Sequence, residues 1–390
     1  MAPRPAIRLD RERPGGLGGV RRTIIQAIAP GEVGGLESVV LALAAGQMRH
    51  GHNVIVALIS DIPAEEHPFG RSLAAAGVKT ASITVAARAY LRERALMTKL
   101  CASEKPDILH THGAKPDVLH GASHLRRPFG TVTTVHGSSK VGGASTFHEI
   151  LQMLLLRRFD GVIAVSQLLA NELRGKSVRA DRLHVIPNAW SSASRILDRA
   201  EARTELNLPA EGVVIGWIGR LIPIKGADVF LDAISRLGQN AGAISVIGDG
   251  PERARLEEYA RDHDIGERVR FHGVLPNAAR YMRAFDVFVL SSRSEGTPVT
   301  LLEAMAAKVP LVVTSVGGIP DVVDDREALL VPSEAPGELA RAIERVLSDP
   351  AAAARRAEAA ALTLAARFNV DDWIDAHDRV YDAILLKSRS

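Results

Sequence analysis

The stretch Arg22-Thr-Ile-Ile-Gln-Ala-Ile28-Ala-Pro-Gly31-Glu-Val-Gly34-Gly35-Leu36, running on to Val54-Ile-Val-Ala-Leu-Ile59, decides the fold class. Arg22 to Ile28 is a short apolar, β-branched run and reads as a strand; Gly31 to Gly35 is a glycine turn. Leu36 to His50 spaces its apolar residues at helical intervals, and Val54 to Ile59 is again strand-like. A strand, a helix and a second strand apolar on both faces make the unit of a parallel sheet covered by helices.

The alternation repeats along the chain. Further strands are expected at Ile108–His112, Thr131–His136, Gly161–Ser166 and His184–Pro187. From Trp190 to about Ala210 there is no strand signal, which places a domain boundary there. The pattern restarts with strand Val213–Gly219, helix Ala227–Leu237, strand Ala243–Gly248, helix Glu252–Asp262 and strand Val269–His272, then Asp286–Leu290 and Leu311–Thr314. The sequence therefore predicts an α/β protein of two Rossmann-like, doubly wound domains, 21–190 and 210–370, with a ligand crevice at their strand ends. A loose tail, 1–20, precedes them, and a C-terminal helix within 371–390 can pack back on the first domain.

Bulk composition agrees. A chain of 390 residues, 46% hydrophobic and 24% charged, suits two soluble cores, and no apolar run reaches the ~20 residues of a membrane span. Met1–Gly19 lacks the apolar core of a signal peptide, so a cytoplasmic location is expected. Cys101 is the sole cysteine, which excludes an internal disulfide and reads as a buried apolar residue. Charge is uneven: Met1–Asn188 hold 24 basic against 15 acidic residues, Ala189–Ser390 hold 24 against 30. Arg88 to Lys99 forms a basic, helical pattern that can touch an anionic membrane surface or remain a solvated face. Aromatics are only 4% and do not interleave with basic residues, which argues against nucleic acid as a partner.

Chemistry concentrates in Ser294-Glu295-Gly296-Thr297-Pro298-Val299-Thr300-Leu301-Leu302-Glu303. Thr297 can cap a helix that starts at Pro298, leaving amides free for a phosphate, while Glu295 and Glu303 can accept hydroxyl donors. Such an arrangement fits a phosphorylated sugar. Eight helical residues span ~12 Å, more than the ~5–9.5 Å of a glycosidase carboxylate pair. Gly219-Arg220-Leu-Ile-Pro-Ile-Lys225-Gly226 follows a strand, so Arg220 and Lys225 read either as a diphosphate clamp or as two solvated loop cations. Gly34 and Gly35 read either as a close approach of backbone to ligand or as an ordinary tight turn. His136, at a strand end, reads as a donor to a sugar or phosphate oxygen or as a satisfied core histidine. His110 and His112 face one side of a strand but lack a third ligand, so no metal site is assigned. Gly248-Asp-Gly250 has Arg253 where a dinucleotide fingerprint needs a third glycine, which counts against an oxidoreductase.

In order along the chain, Gly34-Gly35-Leu36-Glu37, Val135-His136-Gly137, Val185-Ile186-Pro187-Asn188, Gly219-Arg220 with Lys225-Gly226, Gly248-Asp249-Gly250-Pro251-Glu252, and Glu295 spaced to Glu303 resemble the retaining GT-B glycosyltransferases of the large fourth sequence family. The resemblance implies a GT-B fold and hexosyl transfer from a nucleotide diphosphate sugar to a saccharide or lipid-linked acceptor, in polysaccharide or lipopolysaccharide biosynthesis. It implies that Arg220 and Lys225 neutralise the donor diphosphate beside Gly219, Thr297, Pro298 and Val299. By the same resemblance Glu303 accepts from the ribose, Glu295 lies at the donor sugar, His136 approaches that sugar from the opposite domain, and Gly34 and Gly35 reach the reaction centre. Acceptor contacts would come from Gly113–Asp117 and Ser138–Thr146. No cofactor and no divalent ion is expected. Gly-Thr-Pro-Val-Thr stands where many relatives have Gly-Phe-Gly, which favours UDP-sugar over GDP-sugar, and Ala189 replaces a usual glycine. The rival expectation is a GT-B-like scaffold that binds nucleotide sugar without turnover.

Overall fold

The computed structural model describes residues 20–31, 34–121, 128–137, 147–175, 178–190 and 195–389. Its described residues form two compact units: those of Met1–Thr134, Leu154–Ile163 and Asp371–Ser390, and those of Val135–Met153 and Ala164–Val370.

Seven strands make the first sheet: β1 (Thr23–Ile28), β2 (Asn53–Ser60), β3 (Lys79–Thr84), β4 (Ile108–His112), β5 (Gly130–Val135), β6 (Gly161–Ala164) and β7 (Leu183–Val185). Their order is β3-β2-β1-β4-β5-β6-β7, and β1 pairs in parallel with both β2 and β4, setting Ile28 beside Leu58 and His112. Strand order therefore reverses between β1 and β4, the switch point at which open α/β sheets bind ligands. Ile24, Ile25, Ala27 and Ile28 are fully buried, as a strand covered on both faces requires. Helix Gly35–Arg49 presents Val39, Val40, Leu43 and Ala44 to this core at helical spacing.

The C-terminal helix, Val370–Arg389, belongs to the same unit from Asp371 onward. Gly130 and Gly161 make room for it: a Cβ there would lie 2.6 and 2.9 Å from Ile384. Arg22 pairs with Asp378 at 3.4 Å and with Asp382. Tyr381 Oη lies 2.8 Å from His110 Nδ1 and accepts from Gln47 Nε2 at 3.1 Å, while Gln47 Oε1 accepts from Gln26 at 2.8 Å. His112 Nε2 is 2.7 Å from Gln26 Oε1, and His110 Nε2 is 2.8 Å from Thr134 Oγ1. His110 and His112 thus face one side, as the alternation predicts, and join a buried polar network with the last helix.

The second unit holds β8 (Val214–Ile218), β9 (Ala243–Ile247), β10 (Val269–Phe271), β11 (Val287–Leu290), β12 (Leu311–Thr314) and β13 (Leu329–Val331), in the order β10-β9-β8-β11-β12-β13. Hydrophobic clusters cover both faces, one around Phe285, Phe288 and Met305, the other around Trp217, Phe230 and Ile343. Here the strand order reverses between β8 and β11, which pair in parallel, so the loops leaving these two strands emerge side by side.

Candidate functional site

Beyond β8 the chain turns through Gly219 and Arg220 into a short turn, Pro223–Lys225. Glycines allow the close packing of this loop. A Cβ on Gly248 (φ +134) would lie 1.9 Å from the Gly219 carbonyl oxygen, and one on Gly226 (φ +65) would lie 2.1 Å from that of Ser291. Trp217 Nε1 donates to Ser291 Oγ at 3.1 Å, and Ser291 Oγ donates to the Gly226 carbonyl at 2.7 Å, so the two loops are stapled together. Lys225 is thereby aimed at the exit of β11.

Glu295 receives it. Lys225 Nζ lies 2.7 and 2.9 Å from the two carboxylate oxygens, and Ser292 Oγ donates to Oε1 at 2.6 Å. The Glu295 side chain is only 6% exposed and that of Lys225 25%, so the pair is largely screened from water. Beneath it, Gly318 N donates to the Glu295 carbonyl at 3.1 Å, and a Cβ on Gly317 (φ +56) would fall 1.9 Å from that oxygen. His136 directly follows β5, and its main chain groups with the second unit: a Cβ on Gly296 would stand 2.4 Å from the His136 carbonyl oxygen.

Thr297 corrects the sequence reading. Its hydroxyl donates to the Val165 carbonyl at 2.5 Å instead of capping a helix, and its own carbonyl accepts from Asn188 Nδ2 at 2.9 Å. The helix runs Val299–Ala306, with Pro298 as its N-cap and no side-chain cap. Among the described residues the amides of Val299 and Thr300 have no acceptor, so the open end expected for a phosphate is present one residue later. Glu303, partly buried in this helix, has no side-chain partner among the described residues, and burial pushes its carboxyl up to about 7. Arg220 is exposed, and its guanidinium has no hydrogen bond or ion pair among the described residues. Neither group is spent on the fold.

In the first unit, Gly34 is extended (φ −150°) and Gly35 begins a helix, so neither uses left-handed backbone. Glu37 Oε1 accepts from Gly31 N at 3.0 Å and pins the turn. At the β1/β4 switch point Gly113 (φ +93) faces Leu36, whose Cδ2 would be 4.0 Å from an added Cβ. Ser138–Thr146 lie outside the described residues. Cys101 is half-buried rather than buried, at the edge of the core beside β3. Sequence reading missed Ser292, only three residues before its partner Glu295, and also Gly317 and Gly318, whose partner Glu295 lies on another loop and leaves no spacing to detect.

Two family descriptions match the chain, "Glycosyltransferase Family 4" over residues 33–191 and "Glycosyl transferases group 1" over 212–349. The D-inositol 3-phosphate glycosyltransferase of Acidothermus cellulolyticus is 30% identical over 311 residues, 73% of this chain and 68% of that protein. The chain belongs to the family 4 glycosyltransferases. This family 4 member is also 33% identical over 252 residues to a 2-deoxystreptamine glucosyltransferase of Streptomyces kanamyceticus, spanning 60% of this chain and 63% of that relative's length. The glycosyltransferase fold is GT-B: Anabaena HepE, solved with UDP-glucose, superposes with a TM-score of 0.81 at 21% identity, over 94% of this chain and all of HepE.

Proposed function

We propose that this chain is a retaining glycosyltransferase that moves a hexose or hexosamine from a nucleotide diphosphate sugar, a UDP-sugar ahead of a GDP-sugar, to a saccharide or lipid-linked acceptor in polysaccharide or lipopolysaccharide assembly. The observation that carries this reading is the ion pair of Lys225 and Glu295 where the β8 and β11 loops meet. A sugar diphosphate needs cations at its phosphates and an anion near its anomeric carbon, and these loops present both.

Arg220 and Lys225 bind the diphosphate together with the Val299 and Thr300 amides, and Glu303 accepts from the ribose hydroxyls. The bond from the anomeric carbon to the phosphate oxygen breaks while the acceptor oxygen bonds on the same face. The acceptor proton passes to the departing phosphate oxygen, giving nucleoside diphosphate and a product of unchanged configuration. Glu295 stabilises the positive charge that develops on the sugar, and His136 hydrogen-bonds it. Because the cations come from side chains, no metal is required in this scheme. HepE, solved with UDP-glucose, supports the choice of UDP.

Among the described residues no helix is long and apolar enough to cross a membrane. We assign the protein to the cytoplasm, with peripheral contact to anionic lipid through helix Tyr90–Glu104, which exposes Leu91, Arg92, Arg94 and Lys99.

Calorimetric titration with UDP, GDP and ADP in EDTA tests the donor site. Selective binding of UDP is expected; binding of none of the three would overturn the donor site, and UDP binding without any turnover would return the chain to the scaffold reading.

A further inference from the structure

Arg293 stands two residues before Glu295, outside the motifs that carry the family resemblance. Its amide donates to the Ile224 carbonyl at 2.8 Å. Its guanidinium forks onto Asp228, Nη1 to Oδ1 at 2.9 Å and Nη2 to Oδ2 at 2.8 Å, and Nη1 also donates to the Pro223 carbonyl. Nε lies 2.5 Å from Glu334 Oε1. Pro223 and Ile224 belong to the turn that carries Lys225, and Asp228 lies in the first turn of the helix that follows, Ala227–Arg236. One planar side chain therefore joins the exit of β11, the Lys225 turn and the next helix.

A bidentate fork fixes direction as well as distance, which a single ammonium cannot do. The Arg293 side chain is 18% exposed and that of Asp228 30%. Burial alone would raise the Asp228 carboxyl, yet the hydrogen bonds and charge of Arg293 hold it below its ordinary value. The clamp is thus charged, oriented and partly withdrawn from solvent. Lys225 has a long, flexible stem, and its 2.7 Å contact with Glu295 requires its turn to stay at a fixed offset from β11.

We propose that Arg293 is a positioning residue for the donor diphosphate, holding the Pro223–Lys225 turn against the β11 exit so that Lys225 is in place before substrate binds. This rests on reading Lys225 as a diphosphate ligand.

The test compares UDP with uridine, which lacks the diphosphate, as probes of the full-length chain. Arg293→Met should weaken UDP about tenfold, the loss of roughly one charge-assisted hydrogen bond, and leave uridine unchanged. Arg293→Lys should fall between Arg293→Met and the parent. Asp228→Asn should match Arg293→Met, and the double variant should be no weaker than either single change, because both break one clamp. Should Arg293→Met be insoluble, Asp228→Asn carries the same comparison. Parental UDP affinity in these variants, or equal losses for UDP and uridine, would overturn the positioning role. Lys225→Ala separates the two levels: if it keeps parental UDP affinity, the underlying reading of Lys225 fails; if it alone loses affinity, only the role of Arg293 fails.

Discussion

Lys225 Nζ lies within 2.9 Å of both carboxylate oxygens of Glu295, although 70 residues separate the two in sequence. The pair joins the loops of the two strands that flank the reversal in strand order, and it gives Glu295 a partner in a largely buried position. Glu295→Gln keeps the shape and removes the charge. Transfer should fall by at least ~100-fold, the scale of losing one preorganised electrostatic group, while UDP affinity holds or improves because Lys225 is released. Steady-state kinetics with calorimetry check this, and full turnover in the variant would refute the site.

Among the described residues Arg220 supports no other part of the fold. Arg220→Ala should leave unfolding free energy within ~0.5 kcal/mol of the parent and weaken UDP roughly tenfold or more, as read by denaturant titration and calorimetry.

Glu303 gives the site a pH dependence. Its folded value, about 7, stands above the ordinary 4.5, so the folded state binds the extra proton between these values. Stability is therefore greatest at the acid end of that window, falls as pH rises through it, and levels off above about 7. Glu303→Gln should match the parent near the acid end and exceed it at pH ~8 by on the order of 2 kcal/mol. Once ionised, both carboxylate oxygens can accept ribose hydroxyls, so UDP affinity of the parent should rise from pH ~6 to ~8 and lose that slope in the variant. Chemical denaturation and calorimetry across pH measure the two effects.

Gly317→Ala would set a Cβ 1.9 Å from the Glu295 carbonyl oxygen at φ +56. It should cost roughly 1–3 kcal/mol and most of the activity. Gly212→Ala is the control, since its φ is +87 but nothing lies within 4 Å of an added Cβ. That change should lower the unfolding midpoint while sparing kcat.

Tyr381→Phe would remove the hydroxyl shared by His110 and Gln47. Because both partners are buried, thermal unfolding should show a loss of about 1–3 kcal/mol, with UDP affinity unaltered.

Much of this was legible in the sequence. Arg22–Ile28 and Val54–Ile59 read as strands because β1 and β2 are covered on both faces and hence mostly apolar, with Gln26 a buried polar exception within β1. Lys79–Thr84 and Leu329–Val331 were missed: β3 and β13 are edge strands, the first partly polar and the second three residues long. Glu295, Lys225, Arg220 and Glu303 were singled out individually, yet no spacing rule joins Lys225 to Glu295 or Arg293 to Asp228. The Thr297 error has the same origin. Local propensity offered its hydroxyl to the following helix, and a carbonyl 132 residues away, that of Val165, took it.

The most direct test of the central claim is release of UDP from a panel of UDP-hexoses and UDP-hexosamines in EDTA, for the parent and Glu295→Gln side by side. The account predicts turnover of at least one donor by the parent and its loss in the variant despite retained UDP binding. Donor binding without any turnover by the parent, or equal turnover by both proteins, would contradict it.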